Sequence, residues 1–130
     1  MDLLSLNRVS GVIIEVAIDI HRKLGPGLLE SVYQQVLAYE LRKRRLRVEC
    51  EVPIPAVWDG QRMEVGFRAD LIVEDEIIVE LKSIEAIQPV HKKILLTYLR
   101  LADKHLGLLL NFGRDVLKDG ICRIANGDLI

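Results

Sequence analysis

The amino-acid sequence predicts an α/β fold in which a mixed β-sheet is flanked by helices. Three stretches, at about residues 7–24, 28–46 and 89–103, repeat apolar residues at steps of three and four, which is typical of helices that bury one face. Other stretches alternate apolar and polar residues, or stay apolar over the length of a strand. The resulting order is α, α, β, β, β, α, β, β. Three strands grouped before a crossover helix favour a mixed sheet.

The helices have recognisable boundaries. Asn7 or Ser10 is expected to cap the first helix, which should stop at Leu24-Gly25-Pro26-Gly27 because glycine and proline break helices. The second helix ends in a run of arginine and lysine. Pro89 is expected to lie in the first turn of the third helix, where proline is tolerated.

Prolines and turns delimit the strands. Pro53 and Pro55 favour the edge of a sheet, because proline donates no ladder hydrogen bond. Asp59-Gly60 is typical of a tight hairpin turn, and a second turn is expected at residues 74–76. A further turn is expected at Asp119-Gly120. The predicted strands are 48–54, 62–73, 77–82, 106–112 and 121–124.

Length and composition favour one domain over residues 1–130, with an N-terminal helix at about 7–24 and a core at about 28–126. Half of the residues are apolar and only 5% are aromatic, so the core is expected to be aliphatic. Cys50 and Cys122 do not form a metal-ligand spacing or a disulfide framework. We find no secretory signal and no apolar run long enough for a membrane span, which predicts a cytoplasmic protein without a membrane partner.

Charge is unevenly distributed along the chain. The net charge of −1 excludes a generally basic nucleic-acid coat protein but allows a locally basic groove. One reading of the cationic side chains after the second helix is a solvated helix end, and the other is a phosphate-contacting surface. The candidate nucleic-acid-binding residues are Arg42, Lys43, Arg44, Arg45, Arg47, Lys92 and Lys93.

Two otherwise apolar strands carry the residues that point to chemistry. Asp70 lies in one predicted strand, and Glu80 and Lys82 share one face of the next, because side chains alternate along a strand. The turn between the strands places them side by side, and if the pairing register allows, the two carboxylates approach each other and repel unless a cation lies between them. Carboxylate oxygens suit Mg²⁺ or Mn²⁺. The simpler alternative is a strand salt bridge between Glu80 and either Lys82 or Arg68.

Additional motifs resemble those of the GxxExxY protein family, which is assigned to the PD-(D/E)XK nuclease superfamily. The signature itself would be Gly27, Glu30 and Tyr33. The other matching segments, within about residues 10–126, are His21, Asp70, Glu80-Leu81-Lys82, Pro89-Val90-His91, Tyr98-Leu99 and Gly107-Leu108-Leu109-Leu110-Asn111-Phe112. The combination is specific, whereas any single motif is not.

The resemblance implies a PD-(D/E)XK (restriction-endonuclease-like) core and a role for each matching residue. Asp70, Glu80, the backbone carbonyl of Leu81 and Glu30 would bind one or two Mg or Mn ions, and Lys82 would position the attacking water. Asp70, Glu80, Lys82 and Glu30 would thus be catalytic, with His21, Tyr33, His91 and Tyr98 in support. From the residues alone, the simpler explanation of Glu30 is an acidic group at a helix start, and that of Tyr33 is a core aromatic.

One position departs from the family pattern. The family and its nuclease relatives often have Gln four residues before the tyrosine of the third helix, and here that residue is Ile94. We therefore expect a metal-dependent nuclease that hydrolyses phosphodiester bonds, acting on DNA in preference to RNA. The alternatives are a nucleic-acid-binding module with weak or no catalysis, and a self-associating structural protein, for which a homodimer would be the simplest form.

Overall fold

The structure, a computed structural model, describes residues 1–127, without the side chain of Val65. Its elements follow the predicted order α, α, β, β, β, α, β, β, with one 3₁₀ turn at Leu117–Gly120. The elements are α1 (Leu3–Leu24), α2 (Glu30–Lys43), β1 (Val48–Trp58), β2 (Gln61–Val73), β3 (Ile77–Lys82), α3 (Pro89–Ala102), β4 (Leu106–Asn111) and β5 (Ile121–Ala125). No helix within this range is long and apolar enough to cross a membrane.

The five strands form one sheet in the order β1-β2-β3-β4-β5. Neighbouring strands are antiparallel except β3 and β4, which are parallel and connected through α3. A parallel pair requires such a crossover connection, whereas the antiparallel pairs can be joined by short turns. The predicted mixed sheet is therefore confirmed.

Helices cover both faces of the sheet. On one face, α1 and α2 pack on residues such as Ile77, Val79 and Leu81 of β3. On the other face, α3 packs through Leu95 and Leu99 on a smaller cluster of side chains. Both clusters are almost entirely aliphatic, as the composition predicts. Because side chains alternate along β3, Glu80 and Lys82 lie on the α3 face.

The first two helices begin at other residues than predicted. The first helix begins at Leu3, and its cap is Asp2, whose Oδ1 accepts a hydrogen bond of 2.8 Å from the Ser5 amide. Asn7 and Ser10 therefore lie inside the helix, and the predicted caps were wrong. The second helix starts two residues later than expected, because Gly25 and Gly27 hold positive φ angles of 81° and 84° and extend the turn.

The second helix also ends earlier than predicted, at Lys43. Arg45 adopts a φ of 64°, and this left-handed residue reverses the chain toward β1. β1 in turn continues to Trp58, beyond the predicted end at residue 54. Pro53 and Pro55 lie within this strand, which is the edge strand that they predicted. Pro53 pairs with Arg68 of β2, whereas the register of the two strands shifts between Ile54 and Ala56, at Pro55.

Candidate metal centre and active site

Asp70 and Glu80 face each other where β2 and β3 separate. The backbone register pairs Val73 with Ile77, Ile72 with Ile78 and Leu71 with Val79, and it stops before the next pair, Asp70 and Glu80. At this pair, hydrogen bonds from backbone amides to the two side-chain carboxylates replace the backbone ladder. The Asp70 amide donates to Glu80 Oε1 at 3.1 Å, and the Leu81 amide donates to Asp70 Oδ2 at 2.8 Å. Each carboxylate thus keeps one oxygen for another partner.

Both carboxyl groups are held in an environment that opposes their ionisation. Burial, followed by the charge of Asp70, raises the pKa of Glu80 to about 8. Burial also raises the pKa of Asp70, although its hydrogen bond from the Leu81 amide acts in the opposite direction. A bound cation would reverse this effect by favouring both charged forms. The pair therefore has the chemistry of a divalent-metal site.

Lys82 lies two residues beyond Glu80 on the same face of β3, and its ammonium lowers the pKa of both carboxyl groups. Neither Asp70 nor Glu80 takes part in an ion pair shorter than 4 Å within residues 1–127. The alternative of a simple salt bridge from Glu80 to Lys82 or Arg68 is therefore not what the structure shows. Lys82 is only half-buried, so its amine is accessible from solvent.

Sequence comparison agrees with this geometry. A family model described as the PD-(D/E)XK nuclease superfamily matches residues 7–124, which include the whole Asp70–Lys82 constellation. The chain belongs to the PD-(D/E)XK nuclease superfamily. Searches of curated proteins and of solved structures gave no match. The narrower GxxExxY assignment stays a prediction.

In this PD-(D/E)XK chain, only a few protein groups are placed where they could coordinate a metal ion. Within the described residues, no three His, Cys, Asp or Glu side chains are gathered closely enough to hold an ion by themselves. Asp70 and Glu80 are the two that converge, and the Leu81 carbonyl adjoins them along β3. PD-(D/E)XK sites generally use divalent metals such as Mg²⁺ or Mn²⁺. Two carboxylates with water completing the shell suit Mg²⁺, which retains several waters.

Glu30 is the first residue of α2, and the preceding turn places it. The buried hydroxyl of Tyr33 donates to the Gly25 carbonyl at 2.6 Å and accepts from the Leu28 amide at 3.0 Å. The Leu28 carbonyl accepts from the Ser83 hydroxyl at 2.6 Å, one residue after Lys82. The N-terminus of α2 is thus fastened beside the end of β3. Glu30 itself is exposed, and within the described residues it does not form a three-ligand group with Asp70 and Glu80.

His21 supports a different part of the molecule. Its ring is buried in α1, and Nε2 lies 2.8 Å from the Arg114 carbonyl. Its ring centroid is 5.9 Å from that of Phe112, which stacks on Tyr33 at 4.3 Å. His21 therefore reaches the Tyr33 turn through Phe112, and its predicted supporting role would act through this packing.

The third helix contributes Tyr98 to the site. Tyr98 packs against the cluster on the α3 face and its ring centroid lies 5.2 Å from that of Phe67. Burial, followed by the charges of Glu80 and Asp70, raises the pKa of Tyr98. His91 is occupied elsewhere, because its Nδ1 accepts from the Gln88 amide at 2.8 Å and caps α3. Ile94 lies one turn before Tyr98 with 42% of its surface exposed. It presents an apolar surface where the family often has an amide.

Glu51 is a neighbour of the site that the sequence did not reveal. It lies opposite Asp70 in the β1–β2 register, which is interrupted at this pair, and its φ is 53°. Its Oε1 accepts from Gln34 Nε2 at 2.8 Å, and its charge raises the pKa of Asp70. Gln34 is four residues after Glu30, hence on the same face of α2. Glu51 thereby connects the Glu30 face of α2 to the strand beside Asp70.

The two basic groups lie in different places. Arg42 donates to the Val48 carbonyl at 2.8 Å, Lys43 pairs with Glu40 at 3.7 Å, and Arg47 pairs with Glu49 at 3.3 Å. These residues, with Arg44 and Arg45, are at the C-terminal end of α2, remote from Glu30. Lys92 and Lys93 are exposed in the first turns of α3, just after the loop that follows Lys82.

Proposed function

We propose that this chain is a metal-dependent nuclease that hydrolyses phosphodiester bonds in DNA or RNA, with Asp70 and Glu80 as metal ligands. The observation that carries the proposal is the buried carboxylate pair at the point where β2 and β3 separate. Superfamily membership supports a nuclease activity and a nucleic-acid substrate in general terms.

The chain's own residues would divide the work as follows. Asp70, Glu80 and the Leu81 carbonyl would hold Mg²⁺ or Mn²⁺, which when bound supplies Lewis acidity and a more acidic water. Lys82, on the face of Glu80, would hold the attacking water and stabilise negative charge that develops on the phosphate. Glu30, the first residue of α2, would complete the ligand set directly or through water.

We propose DNA as the preferred substrate. Its phosphates would contact the protein at Lys92 and Lys93. These two lysines are exposed at the end of the sheet where β3 finishes, so they can contact phosphates of a strand whose scissile bond lies at Glu80. At the far end of α2, Arg42, Lys43 and Arg47 are engaged in local contacts, which favours the interpretation of this basic group as a solvated helix end.

A cleavage assay tests the nuclease proposal. Labelled single-stranded, duplex and branched DNA and RNA would be incubated with Mg²⁺, Mn²⁺ or EDTA. We expect metal-dependent cleavage that is lost in the Glu80→Ala/Lys82→Ala double variant and kept in Glu15→Gln, which alters an exposed acid of α1. Unchanged Mn²⁺ affinity by calorimetry in both Asp70→Ala and Glu80→Ala would contradict the metal site.

A binding module with weak catalysis is the second candidate, and Ile94 is the observation that favours it. Isoleucine cannot hydrogen-bond water or phosphate, and its exposed side chain lies one turn from Tyr98. In the same assay, Ile94→Gln is expected to raise the cleavage rate if this missing amide limits turnover. Salt-dependent binding without cleavage by either protein would favour the binding module.

A further inference from the structure

The hairpin of β1 and β2 extends far beyond the rest of the sheet. β2 runs from residue 61 to 73, yet only residues 71–73 pair with β3. Residues 55–66, here called the arm, therefore belong to a two-stranded ribbon. The nine steps from Gln61 to Asp70 correspond to about 25–30 Å at ~3.3 Å per residue.

The tip of the arm exposes apolar side chains. Asp59 and Gly60, with φ of 55° and 72°, form the tight turn, and Trp58 just before it is 77% exposed. Val57 is 57% and Met63 40% exposed. A large aromatic side chain left in water at the end of a projecting ribbon indicates a binding surface.

Aromatic rings continue from the tip toward the carboxylates. The chain has only six aromatic residues, and three of them, Trp58, Phe67 and Tyr98, follow this line. Phe67 lies at the base of the arm, 39% exposed, with its ring centroid 5.2 Å from that of Tyr98. Tyr98 in turn packs against the cluster on the α3 face that contains Ala69, the residue before Asp70, and Ile78, which precedes Glu80 by two residues. The aromatic line therefore reaches the strands that carry the site.

Cationic side chains are also present on the ribbon. Arg68 is exposed and forms no ion pair within residues 1–127, and because it follows Phe67 in β2 its side chain leaves the opposite face of the ribbon. Arg62 is exposed near the tip, where it pairs with Glu64 at 3.1 Å. Aromatic rings for stacking, combined with cations for the backbone, are the features by which proteins hold single-stranded nucleic acid without reading its sequence.

We propose that the arm binds single-stranded nucleic acid, stacking an unpaired base on Trp58 and leading the strand along Phe67 to the carboxylate pair. This inference rests on the proposed nuclease function and deepens it by specifying unpaired strands and frayed ends over intact duplex. A base within a closed duplex has both faces stacked, so Trp58 cannot stack on it.

A second copy of the chain is the competing occupant of the arm. Adding a strand to the edge of β1 would require regular amide donors along it, and Pro53 and Pro55 lack them. The left-handed Glu51 further bends this edge. The sequence of the edge strand thus disfavours sheet extension between copies, and the continuity of the aromatic line with the site favours a nucleic-acid strand.

Intrinsic fluorescence tests the inference, because Trp58 is the only tryptophan of the chain. Wild-type protein in EDTA would be titrated with a mixed-sequence DNA strand, the same RNA strand, and a hairpin-capped duplex. We expect both single strands to quench Trp58 emission and the duplex to leave it unchanged. Anisotropy of a labelled strand should show binding about ten-fold weaker in Trp58→Ala, largely restored in Trp58→Phe, and unchanged in Tyr39→Ala, which removes an exposed aromatic side chain of α2.

Two results would overturn the proposal. One is saturable strand binding, seen by anisotropy, with no change in Trp58 emission. The other is a dimer in sedimentation that Trp58→Ala converts to monomer while strand binding persists, which would make the arm a contact between copies. Because EDTA prevents cleavage, quenching without activity in the metal assay refutes only the nuclease function. Metal-dependent cleavage without quenching refutes only the role of the arm.

Discussion

At the residue scale, Glu80 is the most perturbed group of the site, and it makes the metal-free protein sensitive to pH. Its pKa is raised from 4.5 in a model compound to about 8 in the fold. The folded state therefore binds the proton more tightly than the unfolded state. The stability associated with that proton is fully present below about pH 4.5 and is lost as the pH rises toward 8.

Replacement of Glu80 by glutamine should remove this pH dependence. The Gln oxygen can still accept from the Asp70 amide, and the neutral side chain no longer repels Asp70. In EDTA at pH 8, we expect Glu80→Gln to raise the free energy of unfolding by on the order of 4 kcal/mol, since the pKa of Glu80 rises from 4.5 to about 8 and each pKa unit corresponds to ~1.4 kcal/mol. Near pH 4.5 the variant and the wild type should be equal. Urea denaturation at both pH values measures the difference, and a destabilised variant at pH 8 would contradict the inferred repulsion.

Sequence predicted the carboxylate pair because local rules were sufficient. Two apolar strands separated by a short acidic turn must form a hairpin, and alternation then puts Glu80 and Lys82 on one face. Glu51 was missed because its importance depends on an interruption of the ladder opposite Asp70 and on a positive φ at a residue other than glycine. No local pattern signals either feature, since both arise from the tertiary arrangement of β1, β2 and α2.

At the element scale, α2 is connected to the sheet at two points that bracket the position of Glu30. The Tyr33 hydroxyl fixes the turn before the helix, and the Gln34–Glu51 hydrogen bond fixes its first turns to β1. Glycine and proline signals predicted the turn, but they did not predict that it continues to residue 29. The exact start matters, because it makes Glu30 the first helical residue, beside the end of β3.

The connection between Gln34 and Glu51 can be tested without changing a proposed metal ligand. Glu51→Gln retains an oxygen that can accept the hydrogen bond from Gln34, whereas Glu51→Ala removes this hydrogen bond. Because residue 51 is exposed, the smaller side chain leaves no cavity. We expect Glu51→Ala to weaken Mn²⁺ binding by about ten-fold, since partners that orient ligands typically contribute 10–100-fold. Glu51→Gln should retain most of the affinity. Calorimetry measures the Mn²⁺ affinity of both variants. Equal losses of affinity would show that Glu51 acts through its charge and not through its hydrogen bond with Gln34.

At the scale of the whole molecule, the sheet is divided between packing and chemistry. Its centre, β3 and β4, is covered by α1 and α2 on one face and by α3 on the other, and these strands are buried over nearly their full length. Beyond the last residues that pair with β3, β1 and β2 continue as a two-stranded ribbon that ends in the arm. Asp70 lies where this ribbon begins. The site is therefore placed where rigid, buried structure meets an accessible ribbon, and the apolar periodicity that predicted the core could not predict how far the ribbon projects.

Because the carboxylate pair joins β2 to β3, metal binding should stabilise the entire fold. A ligand that binds only the folded state raises its stability with concentration, by ~2.7 kcal/mol at about 100 times Kd. At pH 8 we expect Mn²⁺ to raise the melting temperature of the wild type and to leave Glu80→Gln almost unchanged. At pH 6 the shift should shrink, because the pKa of about 8 means that the ion must displace a proton from Glu80. Differential scanning calorimetry of both proteins at both pH values, each with Mn²⁺ and with EDTA, measures these shifts. An equal shift in Glu80→Gln, or a larger shift at pH 6, would place the ion elsewhere in the protein.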